Sequence, residues 1–237
     1  MSNKASFRTL ALMGLASAGC LVLLTLGGTI GVALLIQWLV TMVWHGSMEE
    51  VGGIASILVV LPVAMLGGAV WGRLVGPLVG VAPRSLAWRA GAAYGMAFPT
   101  VLALLGTFEG YITEHGARDA TTIPNIHLLF VSAWSLGMVG FIGPVGLALG
   151  MALGNERLAL KLALASGLVG AVGFIVLDGL MYAANWRVGH PDFPERPTMS
   201  VVVLLGMLVA MLGSGMVQAW LVTRPRTVER EAGFVVY

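Results

Sequence analysis

Asp178 is the one acid set inside an apolar run, Phe174-Ile175-Val176-Leu177-Asp178-Gly179-Leu180. Lys161 marks one end of that run, and 17 residues (178 − 161) at helical rise put Asp178 ~25 Å from it. A carboxylate in hydrocarbon is costly, so it is expected to face the interior of a helix bundle or water. There it could bind a proton or a cation, or touch a substrate. The plainer reading is a hydrogen bond to a neighbouring helix or hydration from the outer surface. Glu109 closes the third apolar run, and Gln37 lies eight residues before His45 in the first. With Asp178 they could ring an outward-open vestibule drawn from three odd-numbered helices, where carboxylates would attract cations. Interfacial positions on three separate faces are the plainer alternative.

Metal chemistry has less behind it. His45, His115, His127 and His190 all map to the outer side, and imidazole suits transition metals. No pair has the close helical spacing of H-x-x-x-H, and only His127 lies deep enough to contribute to a buried haem. No metal site and no cofactor are expected, which leaves a haem- or metal-binding redox subunit as a remote alternative. Cys20 is the single cysteine and excludes both an intrachain disulfide and a cysteine-based cluster. The Gly-x-Gly combinations follow no strand, so no phosphate loop is implied. A catalytic pocket needs several polar groups converging, and the apolar runs offer few, so an enzyme is the least expected class.

The elements that must position these residues follow from composition. Of 237 residues 58% are hydrophobic and 10% charged, less than half of the roughly one quarter usual in soluble domains. A soluble enzyme, a disordered chain and a nucleic-acid binder are disfavoured together. The basic residues are scattered rather than gathered into a patch, so the net charge of +2 is no nucleic-acid signal. Apolar runs fall at 10–44, 51–72, 86–108, 123–154, 160–186 and 199–222. A bilayer takes about 20 apolar residues as a helix, and continuous runs exclude the alternation of a barrel. The reading is an all-α, polytopic, single-domain bundle (1–237) of six transmembrane helices, with a short cytoplasmic tail at 223–237.

The first run is long for one span and short for two, since a hairpin at Gly27-Gly28 would leave arms of about 17 residues. Lys4 and Arg8 precede it and Glu49 and Glu50 follow it; opposite flank charges favour one crossing. With a cytoplasmic N-terminus the basic residues divide ten inside to three outside, a positive-inside bias. Both termini are then cytoplasmic, and a plasma or inner membrane is expected. Trp38, Trp44 and Trp186 fall near the outer boundary and Trp71, Trp88 and Trp220 near the inner one, where indoles favour headgroups. Trp134 is expected within the bundle. Lys4, Arg8 and Ala18-Gly19-Cys20 resemble a bacterial lipoprotein signal, but the apolar run continues well past Cys20, which argues against cleavage.

Packing is written in the glycines. Gly68, Gly72, Gly76 and Gly80 recur every fourth residue through the second helix, and Gly146, Gly150 and Gly154 through the fourth, preceded by Gly137, Gly140 and Gly143. Such stripes let a neighbouring backbone approach closely, within the chain or on a partner. Pro62, Pro99 and Pro144 interrupt the second, third and fourth helices, where membrane helices tolerate them. Arg8, Arg84 and Arg157 each open an odd-numbered helix before small residues, a similarity too thin to establish repeats. These features lead to a non-catalytic accessory or assembly subunit. Its partners would be the lipid bilayer and other membrane subunits or further copies of itself, not nucleic acid. The alternative is a small transporter or channel for a cation or small solute, with its vestibule around Asp178.

Overall fold

The computed structural model describes residues 7–39, 42, 52–116, 126–183 and 196–223, and its regular elements are all helical. We label them α1 (7–39), α2 (Gly52–Val79), α3 (Pro83–Gly116), α4 (Ile126–Ala152), α5 (Glu156–Ala183) and α6 (Arg196–Thr223). Within them, Phe7–Ile36, Val59–Val79, Pro83–Phe108, Leu128–Ala152, Glu156–Ala183 and Leu204–Thr223 are long and apolar enough to cross a bilayer. The chain is a multi-pass membrane protein on that ground. Helix is the only open-ended way for such a run to satisfy its backbone without water.

Residues 7–39 fold as one continuous helical rod, with no hairpin at Gly27-Gly28. It is not uniform: Phe7–Ala16 is α-helical, Ser17–Leu24 is a π-helix and Thr25–Leu39 returns to α. Two other elements outrun their apolar runs. α2 passes Gly72 and Arg73 and ends at Val79, with Pro77 inside it. Arg73 is exposed, and a long basic side chain can follow the surface out to polar surroundings without ending the helix. α3 continues beyond Glu109 to Gly116, so Glu109 lies within the helix and does not close it.

Two tight turns share one design. Gly80 (φ 73°) ends α2 and Gly154 (φ 69°) ends α4, both in the left-handed region. The Val81 N–H donates to the Gly76 carbonyl at 2.9 Å, and the Asn155 N–H to the Gly150 carbonyl at 3.2 Å. This six-to-one closure over a left-handed glycine is a Schellman cap. Asn155 then starts α5: its side-chain Oδ1 accepts the Leu158 N–H at 2.9 Å, a standard N-cap. Pro83 starts α3, at a position where a missing N–H is harmless. Nothing comes within 4 Å of a Cβ built on Gly80 or Gly154. The last glycine of each stripe therefore turns the chain and packs against no helix.

The other stripe glycines lie against backbone of the same chain. A Cβ on Gly68 would come 2.5 Å from the Ala90 carbonyl oxygen of α3, and one on Gly72 2.6 Å from the Ala87 Cα. One on Gly76 would come 3.0 Å from the Pro83 Cα. On α4, Gly146 would meet the Leu162 carbonyl oxygen of α5 at 2.7 Å and Gly150 the Ala159 N at 2.5 Å. Gly137 and Gly140 turn the other way, toward the side chains of Leu105 and Val101 on α3. A third pair, α6 with α1, approaches as closely: Gly215 would meet the Met13 carbonyl oxygen at 2.5 Å, and Gly14 the Leu212 carbonyl oxygen at 3.0 Å.

Each helix also packs on its neighbours in the chain, and α6 packs on α1, which closes the circuit. The centre is filled. Tyr94, Phe98 and Phe141 form a tilted series with ring centroids 5.3 and 5.2 Å apart, joined in one core by Trp71, Met138, Leu149 and Met211. We refer below to the turn end of the bundle, at Gly80 and Gly154, and to the far end opposite it.

Candidate functional site

Asp178 lies on α5 one turn beyond Phe174, on the same face. Phe174 is buried and Asp178 half-buried, so the carboxylate belongs to the inward side of the helix. Gly179 and Leu180, next to it, are exposed. Beneath the carboxylate is an aromatic layer. Trp134 of α4 stacks on Phe174, with centroids 6.1 Å apart and planes 19° from parallel, and Phe130 tilts against Trp134 at 6.2 Å. Trp134 thus sits inside the bundle. Beside it Ser135 is buried, and its hydroxyl has no hydrogen-bond partner among the described residues.

Gln37 and Glu109 are placed only as backbone within α1 and α3; their side chains lie outside the described residues. Around the bundle α1, α3 and α5 alternate with α2, α4 and α6. The helices carrying Gln37, Glu109 and Asp178 are therefore not laid along one another. The side chains of His45, His115, His127 and His190 also fall outside the described residues. Among the described residues no three of His, Cys, Asp or Glu come together as a metal-holding group.

A second polar constellation, not anticipated from the sequence, surrounds the π segment of α1. The Trp71 indole N–H of α2 donates to Ser17 Oγ at 2.9 Å, and Ser17 donates on to the Met13 carbonyl at 2.9 Å. The Tyr94 hydroxyl of α3 donates to the Leu21 carbonyl. Thr25 Oγ1 donates to the Cys20 carbonyl at 3.2 Å, one turn of π-helix back. Gly67 of α2 admits this segment: a Cβ there would meet Thr25 Oγ1 and would stand 2.9 Å from the Cys20 carbonyl oxygen. Trp71 and Tyr94 have no exposed surface. The expectation of a headgroup-level indole fails at Trp71 because a buried hydroxyl on the neighbouring helix offers its N–H a partner. Trp38, Trp88 and Trp220 remain exposed.

A third polar contact ties α5 to α6, where Ser214 Oγ donates to the Ser166 carbonyl at 2.7 Å and Ser166 donates to the Leu162 carbonyl. One turn further along α6, Gln218 is buried and its Oε1 has no partner among the described residues. The buried polar side chains described are Ser17, Thr25, Ser135, Ser166, Ser214 and Gln218, all neutral. Ser17 and Ser214 pin helices to one another, whereas Thr25 and Ser166 donate within their own helices. Single hydroxyls leave little signal in a sequence, because a serine in an apolar helix usually bonds to its own preceding turn, as Ser132 does with Leu128.

Comparison of the chain with models of protein families, with curated proteins and with solved structures gave no match.

Proposed function

We propose that this protein is a non-catalytic accessory or assembly subunit of a larger membrane complex, docking through the far-end halves of α1 and α3. The observation that carries the reading is the contrast among its glycines. Apart from the turn glycines Gly80 and Gly154, the stripe glycines toward the turn end lie against the chain's own backbone, whereas Gly27 and Gly31 of α1 and Gly106 and Gly110 of α3 are exposed, with nothing within 4 Å among the described residues. Each pair is spaced four residues apart, the separation that lets another helix approach. A glycine costs a helix about 1 kcal/mol relative to alanine in water, and these four gain no close packing inside the chain. The neutral, well-filled interior fits a structural role. Both termini are assigned to the cytoplasm and the bilayer to a plasma or inner membrane, on the distribution of arginine and lysine. Reporter fusions at the two ends would test that orientation.

The decisive experiment is extraction from native membranes in a mild detergent, followed by mass measurement. Stoichiometric recovery with another membrane chain, or as a defined oligomer, and its loss in Gly27→Ile/Gly31→Ile or Gly106→Ile/Gly110→Ile supports the reading. A homogeneous single chain would overturn it.

One observation favours a second reading, a small cation or solute carrier: the half-buried carboxylate of Asp178 above the Phe130–Trp134–Phe174 layer. An ionisable group at that depth is a functional candidate by default. Cation-dependent flux in proteoliposomes, abolished by Asp178→Asn with the fold retained, would establish it.

A further inference from the structure

The π segment divides α1 into two parts held very differently. On the turn side, Gly14 and Ser17 lie against Gly215, Leu212 and Met216 of α6, and Trp71 of α2 bonds to Ser17. At the segment itself, Tyr94 of α3 takes the Leu21 carbonyl and Gly67 of α2 fits against Thr25 and Cys20. Beyond it the packing thins abruptly. No described side chain between residues 26 and 39 is buried, and Ile30, Leu34, Leu35 and Trp38 are exposed. Residues 25–39 pack on α2, while the extensive packing of α1 on α6 ends with the π segment. Three glycines, Gly27, Gly28 and Gly31, follow directly, and among the described residues only Gly28 has a neighbour within 4 Å of an added Cβ, the side chain of Val63. Glycines stiffen a helix least, and π turns recur at functional sites and mark irregularities in a helix.

We propose that residues 25–39 form an arm that swings about the π segment, opening and closing the seam between α1 and α6 at the far end. Trp71 and Tyr94 hold the pivot while the arm moves. Collective motion of this kind runs on the microsecond-to-millisecond scale. The inference concerns motion within the chain and holds whether or not a partner docks.

The test is a pair of spin-label distances in lipid nanodiscs, in a Cys20→Ala background. Leu35 of α1 and Leu205 of α6 report the far end, and Leu12 and Trp220 the turn end; all four side chains are exposed. The far-end distribution should be about twice as wide as the turn-end one, or split in two. Tyr94→Phe should widen it further and leave the turn-end pair unchanged. Equally narrow distributions would overturn the proposal, as would a Tyr94→Phe effect that is absent or equal at both ends. Should Tyr94→Phe fail to fold, Trp71→Phe removes the other anchor with the ring retained. The comparison between the two unmodified pairs also decides the motion without either variant.

Discussion

At the turn end, a methyl group added to Gly72, Gly146 or Gly215 would strike the backbone of the next helix, at 2.5–2.7 Å. Toward the far end, one added to Gly27, Gly31, Gly106, Gly110 or Gly179 meets nothing within 4 Å among the described residues. The residue type is the same, and four-residue spacing occurs in both regions (Gly68/Gly72 and Gly146/Gly150 in the first, Gly27/Gly31 and Gly106/Gly110 in the second), yet the physical use differs. In the first region, glycine brings two backbones into the range where dispersion between helices substitutes for a hydrophobic drive that lipid does not supply. In the second, it keeps a helix surface shallow and open. A small-residue stripe in a membrane helix therefore identifies a potential close approach without saying whether the chain itself makes it.

The comparison can be broken most easily where it predicts the largest effect. Gly72→Leu and Gly150→Leu should each cost 3 kcal/mol or more, at or above the usual range for overpacking, because backbone cannot yield as a side chain does. Gly106→Leu should stay within about 0.5 kcal/mol. Thermal unfolding in detergent, read with the monodispersity of the sample, separates the two outcomes. Equal losses at Gly72 and Gly106 would abolish the distinction between the ends.

Ser17→Ala should cost about 1–3 kcal/mol, since it leaves the buried Trp71 N–H without an acceptor. Trp71→Phe in the same background should recover part of that loss, and a double-mutant cycle measures the coupling. Gly80→Ala and Gly154→Ala should each cost about 1–2 kcal/mol from left-handed strain alone. Asparagine at either position should cost less, because it tolerates that region. The smallest effect on stability is expected for Gly27→Ala with Gly31→Ala, within about 0.5 kcal/mol. The same pair sharpens the comparison by a different readout, recovery of a docked membrane chain.

The six spans and the single crossing of the first run were legible because continuous apolarity and flank charge are local properties of the chain. Element ends were less so. Arg73 and Glu109 interrupt apolarity without ending α2 or α3, since a charged side chain can reach polar surroundings while its backbone stays helical. The stripes on α2 and α4 were visible as periods within a helix. Gly14, Gly67 and Gly215 were not, because each works singly, against one site on another helix. The same limit hid the anchors of the π segment: Trp71 and Ser17 are 54 residues apart and Tyr94 and Leu21 are 73 apart. Asp178 stood out as a carboxylate among aliphatic residues. That it shares a face with a stacked Trp134–Phe174 pair emerges only when α4 is laid against α5.

The pairing of α6 with α1 has a consequence for synthesis. Gly14 leaves the ribosome 201 residues (215 − 14) before the glycine that covers it. At 5–20 residues per second, α1 waits roughly 10–40 s in the membrane for α6. Throughout that interval the Gly14 face of α1 lacks its cover, while α2 and α3 can already engage the other side of the helix through Trp71, Gly67 and Tyr94.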